Sequence, residues 1–194
     1  MIYYGLTSFA PDVSSLLAKR GANSGTISPM KKIQVGGHKN IANIRGYALV
    51  DDEDYEELNQ YNWYAGNWVG GISAVRGIWV NGKMKHSSMH GMIMGTPSGM
   101  HTDHIDGDRL NNQKSNLRIC TASQNAMNKG KPLDNTSGYK GVSWHKLQKS
   151  WIAKIVLNKK TVFLGYYEAP LDAAIAYNRA ARKYHGAFAK LNPV

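Results

Sequence analysis

The stretch HTDHIDGDRLNNQKSNLRICTASQNAMN, residues 101–128, decides how the chain is read. His101-Thr102-Asp103-His104-Ile105 predicts a strand, Asp106-Gly107-Asp108 a turn, and Asn116-Leu117-Arg118-Ile119 a returning strand after a polar excursion through Asn111 and Asn112. Thr121 or Ser123 can then cap a short helix carrying Asn125 and Asn128. This order can bring Asp103, His104 and Asn125 together although they are distant in sequence. Asp103 and Asn125 offer hard oxygen donors suited to Mg2+, which accepts few protein ligands and keeps positions for water and phosphate. His104 is a candidate general base, able when neutral near pH 7 to take a proton from an attacking water. Neighbouring strand residues face opposite ways, so Asp103 and His104 share a site only where the strand is twisted or bulged.

Other readings of the same stretch are weaker. Asp106, Gly107 and Asp108 are ordinary turn formers. An EF-hand loop starting at Asp103 would need Glu at its twelfth position and meets Lys114. The His101-x-x-His104 pair suggests zinc, but strand spacing sends the two rings to opposite faces. The chain's one cysteine, Cys120, supplies no partner pair for such a site.

Working outward, composition narrows the class. The 194 residues contain 24 Lys and Arg against 13 Asp and Glu, a formal charge of +11. The isoelectric point is near 9.7. A hydrophobic fraction of 42% is enough for a packed core and argues against wholesale disorder. There is no apolar run of transmembrane length and no secretory signal pattern, and one cysteine excludes a disulfide framework; the expectation is an intracellular globular protein. The charge is concentrated: residues 134–194 hold ten Lys and Arg and three Asp and Glu. That excess points to a polyanion, most simply nucleic acid, bound by the last third of the chain.

Gly21–Pro29 reads as a loop after a short helix beginning near Asp12. Ile41–Val50 predicts a strand, and acidic Asp51–Gln60 a helix with Asp51 as N-cap. Trp63–Val69 and Ile72–Val80 predict a strand pair joined at Gly70-Gly71, with a second turn at Asn81-Gly82. Asn128–Gly138, almost free of apolar side chains, reads as a linker. Beyond it, Tyr139–Trp144, Ser150–Leu157 and Lys160–Tyr167 predict three strands, the last two joined by Asn158-Lys159. After Pro170, Leu171, Ala174, Tyr177, Ala181 and Tyr184 recur at helical spacing over about four turns. A three-stranded sheet backed by one helix leaves one sheet face free. Lys140, Lys146, Lys149, Lys154, Lys159 and Lys160, interleaved with Trp144, His145 and Trp151, are its candidate DNA contacts. Trp151 can equally pack between sheet and helix.

The Asp103-His104 pair, Asn116-Leu117 and Asn125 together resemble the ββα-metal core of HNH endonucleases, in particular phage-type homing enzymes and nickases. The upstream LVDDEDYEELNQYNWY, SAVRG and MHGMIMG are similar to the lead-in of that core, so the resemblance spans roughly residues 30–128. It implies that Asp103 and Asn125 bind the metal, that His104 activates water, and that Asn116 braces the loop and orients His104. The implied ion is Mg2+, with Mn2+ as a substitute. His90 is open between a phosphate contact and a structural histidine, and Arg118 is a second candidate phosphate contact. Gly91 stands where the family commonly carries Arg.

Tyr139-Lys140-Gly141-Val142, Trp151, Ala153, Phe163-Leu164-Gly165, the helix DAAIAYNRAARKYHG from Asp172 and the following AKLN resemble the DNA-binding domain of plant ethylene-response-factor (APETALA-type) proteins. That domain also occurs fused to phage HNH nucleases. Ser143, Lys154 and Val156 stand at positions where the plant domain uses Arg, which implies more relaxed sequence readout, because Lys lacks the bidentate fork that reads guanine.

The expected fold is α+β: a small ββα-metal nuclease domain followed by a three-stranded antiparallel sheet packed on one helix. The expected division is an N-terminal extension at 1–29, nuclease 30–128, linker 129–137 and DNA-binding domain 138–194. The expected function is metal-dependent hydrolysis of a phosphodiester in double-stranded DNA by a monomer, encoded by a phage or mobile element, that nicks one strand. The alternatives are a non-catalytic DNA-binding regulator using the C-terminal sheet, or an RNA-binding protein using the same sheet.

Overall fold

A computed structural model describes residues 30–36, 44–68 and 71–194; the helix expected near Asp12 and the loop Gly21–Pro29 lie outside them. The chain is α+β, with antiparallel sheets and short helices. Strand β1 (Met30–Gly36) pairs with β2 (Ile44–Asp51), and β3 (Tyr64–Trp68), β4 (Gly71–Val80) and β5 (Lys83–Ser88) form a second sheet in that order. Alternation sends Ile33 and Val35 of β1 and Ala48 and Val50 of β2 into one core, with Leu58, Trp63, Ala74 and Met89. The Trp63 indole is buried because its N–H has a partner, the Leu58 carbonyl at 2.8 Å.

Helix α1 (Asp52–Leu58) starts after Asp51 as expected, but the Asp51 side chain does not cap it. Its carboxylate instead accepts from the Lys114 backbone N–H at 2.8 Å and from the Gln113 amide at 3.2 Å. It thereby tethers the later polar loop to this sheet. Asn81 (φ 51°) and Gly82 (φ 71°) form the tight turn between β4 and β5 that Asn-Gly predicts. Two elements go beyond the sequence reading: β1, and helix α2 (Met89–Met94), whose N-cap Ser88 accepts from the Gly91 N–H.

The next three elements follow the expected order: β6 (His101–His104), β7 (Leu117–Cys120) and α3 (Ala122–Asn128). Thr121 and Gln124 close a reciprocal capping box at the start of α3. Beyond it, β8 (Val142–His145), β9 (Ser150–Leu157) and β10 (Lys160–Tyr167) form a sheet ordered β10-β9-β8, covered by α4 (Pro170–His185). The buried stripe of α4 is Ala173, Ala174, Tyr177, Ala180 and Ala181, while Leu171 and Tyr184 of the expected stripe are about half exposed. Small alanines let the helix lie close on the sheet, which larger side chains at those positions would hold off. Asn192 then stitches the C-terminal strap down: its N–H donates to Asn178 Oδ1 at 2.7 Å, and its Oδ1 accepts from the Lys140 N–H at 2.6 Å.

The two halves touch through named contacts. Lys190 Nζ donates to the Asp106 carbonyl at 2.9 Å, and the Arg118 guanidinium donates to the Ala187 carbonyl while lying 4.0 Å from the Phe188 ring centroid. Among the described residues no helix is long and apolar enough to cross a membrane.

Close packing in the C-terminal half has a sharp test at Gly141 (φ +76°), where a Cβ would stand 2.2 Å from the Tyr177 ring and 2.6 Å from the Lys154 carbonyl oxygen. Gly141→Ala is expected to cost about 2–4 kcal/mol, from a strained φ plus overpacking. Urea denaturation of the two proteins measures it.

Candidate active site

The β6–β7 ribbon pairs His101 with Cys120, Thr102 with Ile119, Asp103 with Arg118 and His104 with Leu117. The loop between the strands is held by its own amides. Asn116 Oδ1 accepts from the Asp106 N–H at 3.0 Å, and its Nδ2 donates to Asp106 Oδ1 at 2.9 Å and to the Asn111 carbonyl at 2.8 Å. Burial works against the Asp106 carboxylate, but donors from Asn111, Asn116 and the Asp108 N–H outweigh it and hold the acid below its usual range. Asn116 thus braces the loop, yet it makes no bond to His104.

That bond comes from Asn112. Its side chain is fully buried, and its Oδ1 lies 3.0 Å from His104 Nε2. Asn112 Nδ2 points to two acceptors, the Leu110 carbonyl at 3.4 Å and Met89 Sδ at 3.5 Å, so the oxygen is the end that faces the ring. An oxygen acceptor there assigns the proton to Nε2 and leaves the lone pair on Nδ1. Among the described residues Nδ1 has no hydrogen-bond partner, and it is not among the buried orphan atoms; it opens on the cleft. The backbone fixes Asn112 in turn. Its N–H donates to the Leu49 carbonyl at 2.8 Å, and the Leu49 N–H donates to the Leu110 carbonyl at 2.8 Å.

Asp103 and His104, neighbours on a strand, nevertheless line one cleft, together with His90, Arg109, Asn125, Asn128 and Lys190. His104 is the last paired residue of its strand, and Asn112 draws its ring to that side. The Asp103 carboxylate is buried and held through both oxygens. Oδ2 accepts from Arg118 Nε and Nη2 at 2.9 and 2.7 Å, and Oδ1 accepts from Asn128 Nδ2 at 3.0 Å. Asn128 also donates to the His104 carbonyl at 2.8 Å, fastening α3 to β6. Arg118 was expected at a phosphate; it is instead turned to Asp103 and the C-terminal tail, as their direct opposition in the register requires. Asn125 lies on the cleft with no side-chain partner among the described residues.

The residues therefore suit a divalent cation by donor chemistry. Oδ2 of Asp103 already receives two donors, whereas Oδ1 receives one and keeps a lone pair, and the Asn125 amide oxygen is uncommitted. Three residues matter here in ways the sequence did not indicate: Asn112 and Asn128 carried no role, and Arg118 carried a different one. Arg118 and Asn128 act on the Asp103 carboxylate, and Asn112 acts on His104. Asn128 had a signal, its three-residue spacing from Asn125 on one helix face. Asn112 had none, because its partners come from β2, α2 and β6.

The C-terminal DNA-contact candidates do not share one surface. Alternation from the buried Ala153 and Ile155 puts Trp151, and with it the paired Trp144, on the helix side of the sheet; Trp151 packs against the core and Trp144 is 45% exposed. This differs from the free-face placement expected for Trp144, whereas Trp151 takes the packing position between sheet and helix that the sequence left open. His145 and Lys154 take the free face, with Ile152 and with Tyr166, whose ring meets His145 at 5.5 Å. Lys159 lies in the β9–β10 turn and Lys160 opens β10, while Lys146 and Lys149 lie in the β8–β9 turn. Lys140 points to the other half, donating to the Met127 and Lys129 carbonyls, and burial beside Lys190 pushes its pKa down to about 8.

His90, on α2, stacks edge-on to His104 with centroids 4.9 Å apart, and its buried Nδ1 has no partner. Burial, with His104 and Arg109 adding to it, pushes the His90 imidazole down to about 4. Burial also lowers His104, against the opposing pull of Asn112, Asp106 and Asp103. Both rings are therefore neutral at pH 7. For His90 the folded value lies below the ordinary 6.5, so the unfolded chain takes the proton first as pH falls. The His90 contribution to stability should be constant above pH 6.5 and fall between there and about 4, and His90→Asn should make the fall in that window shallower. Thermal denaturation at stepped pH measures both slopes.

The arrangement resembles known proteins as well as known chemistry. The family model described as HNH endonuclease matches residues 84–127, which run from β5 to the end of α3. Over 95 residues the chain is 36% identical to Protein 3.8 of Escherichia phage T7, covering 48% of this chain and 77% of that one. Over 151 residues it is 30% identical to an uncharacterized HNH endonuclease of Acanthamoeba polyphaga mimivirus, covering 76% of this chain and 75% of the relative. With the ββα ribbon, the oriented histidine and this extent of likeness in agreement, the chain belongs to the HNH endonucleases.

Proposed function

We propose that the chain is a metal-dependent DNA endonuclease that nicks one strand, with His104 Nδ1 as general base and Asp103 and Asn125 as the protein ligands of the metal. The observation that carries this reading is the Asn112 Oδ1 to His104 Nε2 bond, which turns a basic nitrogen into the cleft that the two oxygen donors line. As water attacks phosphorus, Nδ1 takes its proton; the new O–P bond forms while the P–O bond to the departing sugar oxygen breaks. Asn112 keeps the ring in the tautomer that can accept, and its burial excludes water from Nε2. Asn128 and Arg118 hold the Asp103 carboxylate in place, and Oδ1, which receives one donor, would be the oxygen free to bind a cation. A Mg2+ or Mn2+ ion bound there would supply charge stabilisation to the scissile phosphate and departing oxygen.

In this proposal the C-terminal sheet and helix, read as an ethylene-response-factor-like module over 138–194, tether the nuclease to duplex DNA. His145, Lys154, Lys159 and Lys160 make phosphate contacts, and the loop lysines Lys146 and Lys149 extend them. A single active site per chain supports nicking by a monomer, as a phage-encoded or homing-type enzyme would do. Lys binds phosphate as a point charge, which supports preference for a site over strict sequence readout.

Relaxation of supercoiled plasmid tests the reading. Wild type with Mg2+ should give open circles, and chelation should abolish the product. His104→Ala should lower the rate by on the order of 10²–10⁴-fold, the usual contribution of a general base. Asn112→Leu, which keeps the volume but removes the acceptor, should lower it about a hundredfold with the metal still bound. Absence of cutting by wild type on plasmid and phage DNA, with duplex binding intact, would instead favour a DNA-binding regulator.

A further inference from the structure

The β4–β5 hairpin carries a surface that the active site and the C-terminal module leave unused. Trp79 is 72% exposed and its cross-strand partner Met84 is 58% exposed, both near the hairpin tip. Large apolar groups left so bare on a short ribbon ask for a partner. Alternation fixes which face they occupy. Ser73, Val75, Gly77 and Trp79 share one side of β4, and Met84, His86 and Ser88 the facing side of β5. The opposite side is committed: Ala74 enters the core and Arg76 lies over the Tyr61 ring at 3.6 Å.

The Trp79 side is continuous with the catalytic cleft, because Ser73, Val75, His86 and Ser88 line that cleft with His90 and His104. One surface thus runs from His104 along the ribbon to Trp79. Gly77 gives Met84 its berth, with the sulfur 3.5 Å from where a Gly77 Cβ would stand. The setting is cationic. Lys129, Lys131 and Lys190 line the cleft, and Lys83 and Lys85 are exposed on β5, whose other edge is unpaired. Pairing with Val80 and Ile78 puts Lys83 and Lys85 on the side away from Trp79, and from the open edge their long side chains reach the phosphates of a backbone that passes beside the ribbon.

We propose that this hairpin is a second DNA-docking element, which seats the duplex flanking the scissile phosphate and wedges Trp79, backed by Met84, into a base step that it partly unstacks. The inference rests on the endonuclease reading for its partner and on continuity with the cleft for its place. Trp79 is four residues beyond Val75, about 13 Å along the strand. At about 3.4 Å per base step, Trp79 meets the duplex roughly four steps beyond the part that the cleft covers. A wedge of this kind reads no hydrogen-bond pattern on the base edges, so the contact adds affinity and register without a sequence code, while Lys83 and Lys85 bind phosphates.

The test uses the full chain. Binding of a fluorescein-labelled 40-bp duplex is measured by anisotropy in the His104→Ala background, which binds without cutting, and plasmid nicking is measured with His104 intact. Trp79→Ala should weaken duplex affinity on the order of tenfold, Trp79→Phe should restore most of it, and unfolding midpoints should match. Replacing Lys83 and Lys85 together by Ala should reduce the salt slope of log affinity by about two. In a set of duplexes carrying 2-aminopurine at successive steps on either side of the mapped nick, one flanking position should brighten on binding as its step is unstacked, and less so with Trp79→Ala. Unchanged affinity, nicking and 2-aminopurine signal in Trp79→Ala would overturn the proposal. So would a change in sedimentation coefficient with no change in DNA binding, which would assign the face to a second copy of the chain. Wild type that binds but never nicks, with affinity still falling in Trp79→Ala, would sink the endonuclease reading and leave the docking surface standing.

Discussion

The site depends on one hydrogen bond made in a fully buried place, from His104 Nε2 to Asn112 Oδ1 at 3.0 Å. An imidazole in water exchanges its proton freely between two nitrogens. A buried carbonyl-type acceptor removes that freedom, because leaving Asn112 Oδ1 unpaired would cost about 1–3 kcal/mol of desolvation. The amide cannot flip, since its other end already meets the Leu110 carbonyl and Met89 Sδ. Three separate pieces of chain, β2, α2 and the loop after β6, therefore converge to set the protonation of a single nitrogen.

The same logic extends to the second half of the site. Asp103 is charged and buried, which is tolerated only with partners, and Arg118 and Asn128 provide them. Arg118 also reaches the Ala187 carbonyl and the Phe188 ring, so the carboxylate that faces the cleft is coupled in one step to the end of the C-terminal half. Lys190 at the Asp106 carbonyl adds a second contact on the neighbouring loop. The two halves of the chain meet beside the residues proposed to do the chemistry, and the Asp106 loop that Asn116 braces forms part of that junction.

Much of this was legible because it is local. Thr121 stands as a cap candidate at the start of α3, Asn81-Gly82 and Asn158-Lys159 announce their turns, and Asp103, His104, Asn116 and Asn125 stand at recognisable intervals. The rest depends on register and burial. Strand β1 has only Ile33 and Val35 as inward residues, too few to show a period, and α2 has six residues, fewer than two helical turns. Arg118 reads as a free cation until the register sets it opposite Asp103. Trp144 and Trp151 interleave with lysines in sequence, yet parity counted from the buried Ala153 and Ile155 moves them to the helix side. Asn112 is the clearest case. It is one more polar residue in a polar loop until the fold closes around it.

The most direct measurement is the tautomer of His104 itself, read by long-range proton–nitrogen correlation in the histidine-labelled chain, with His104→Ala identifying its signal among the seven histidines. The account predicts a neutral ring at pH 7 protonated on Nε2 with an unprotonated Nδ1, and loss of that single tautomer in Asn112→Leu. A ring protonated on Nδ1, or an Nε2 tautomer that survives removal of the Asn112 oxygen, would contradict it.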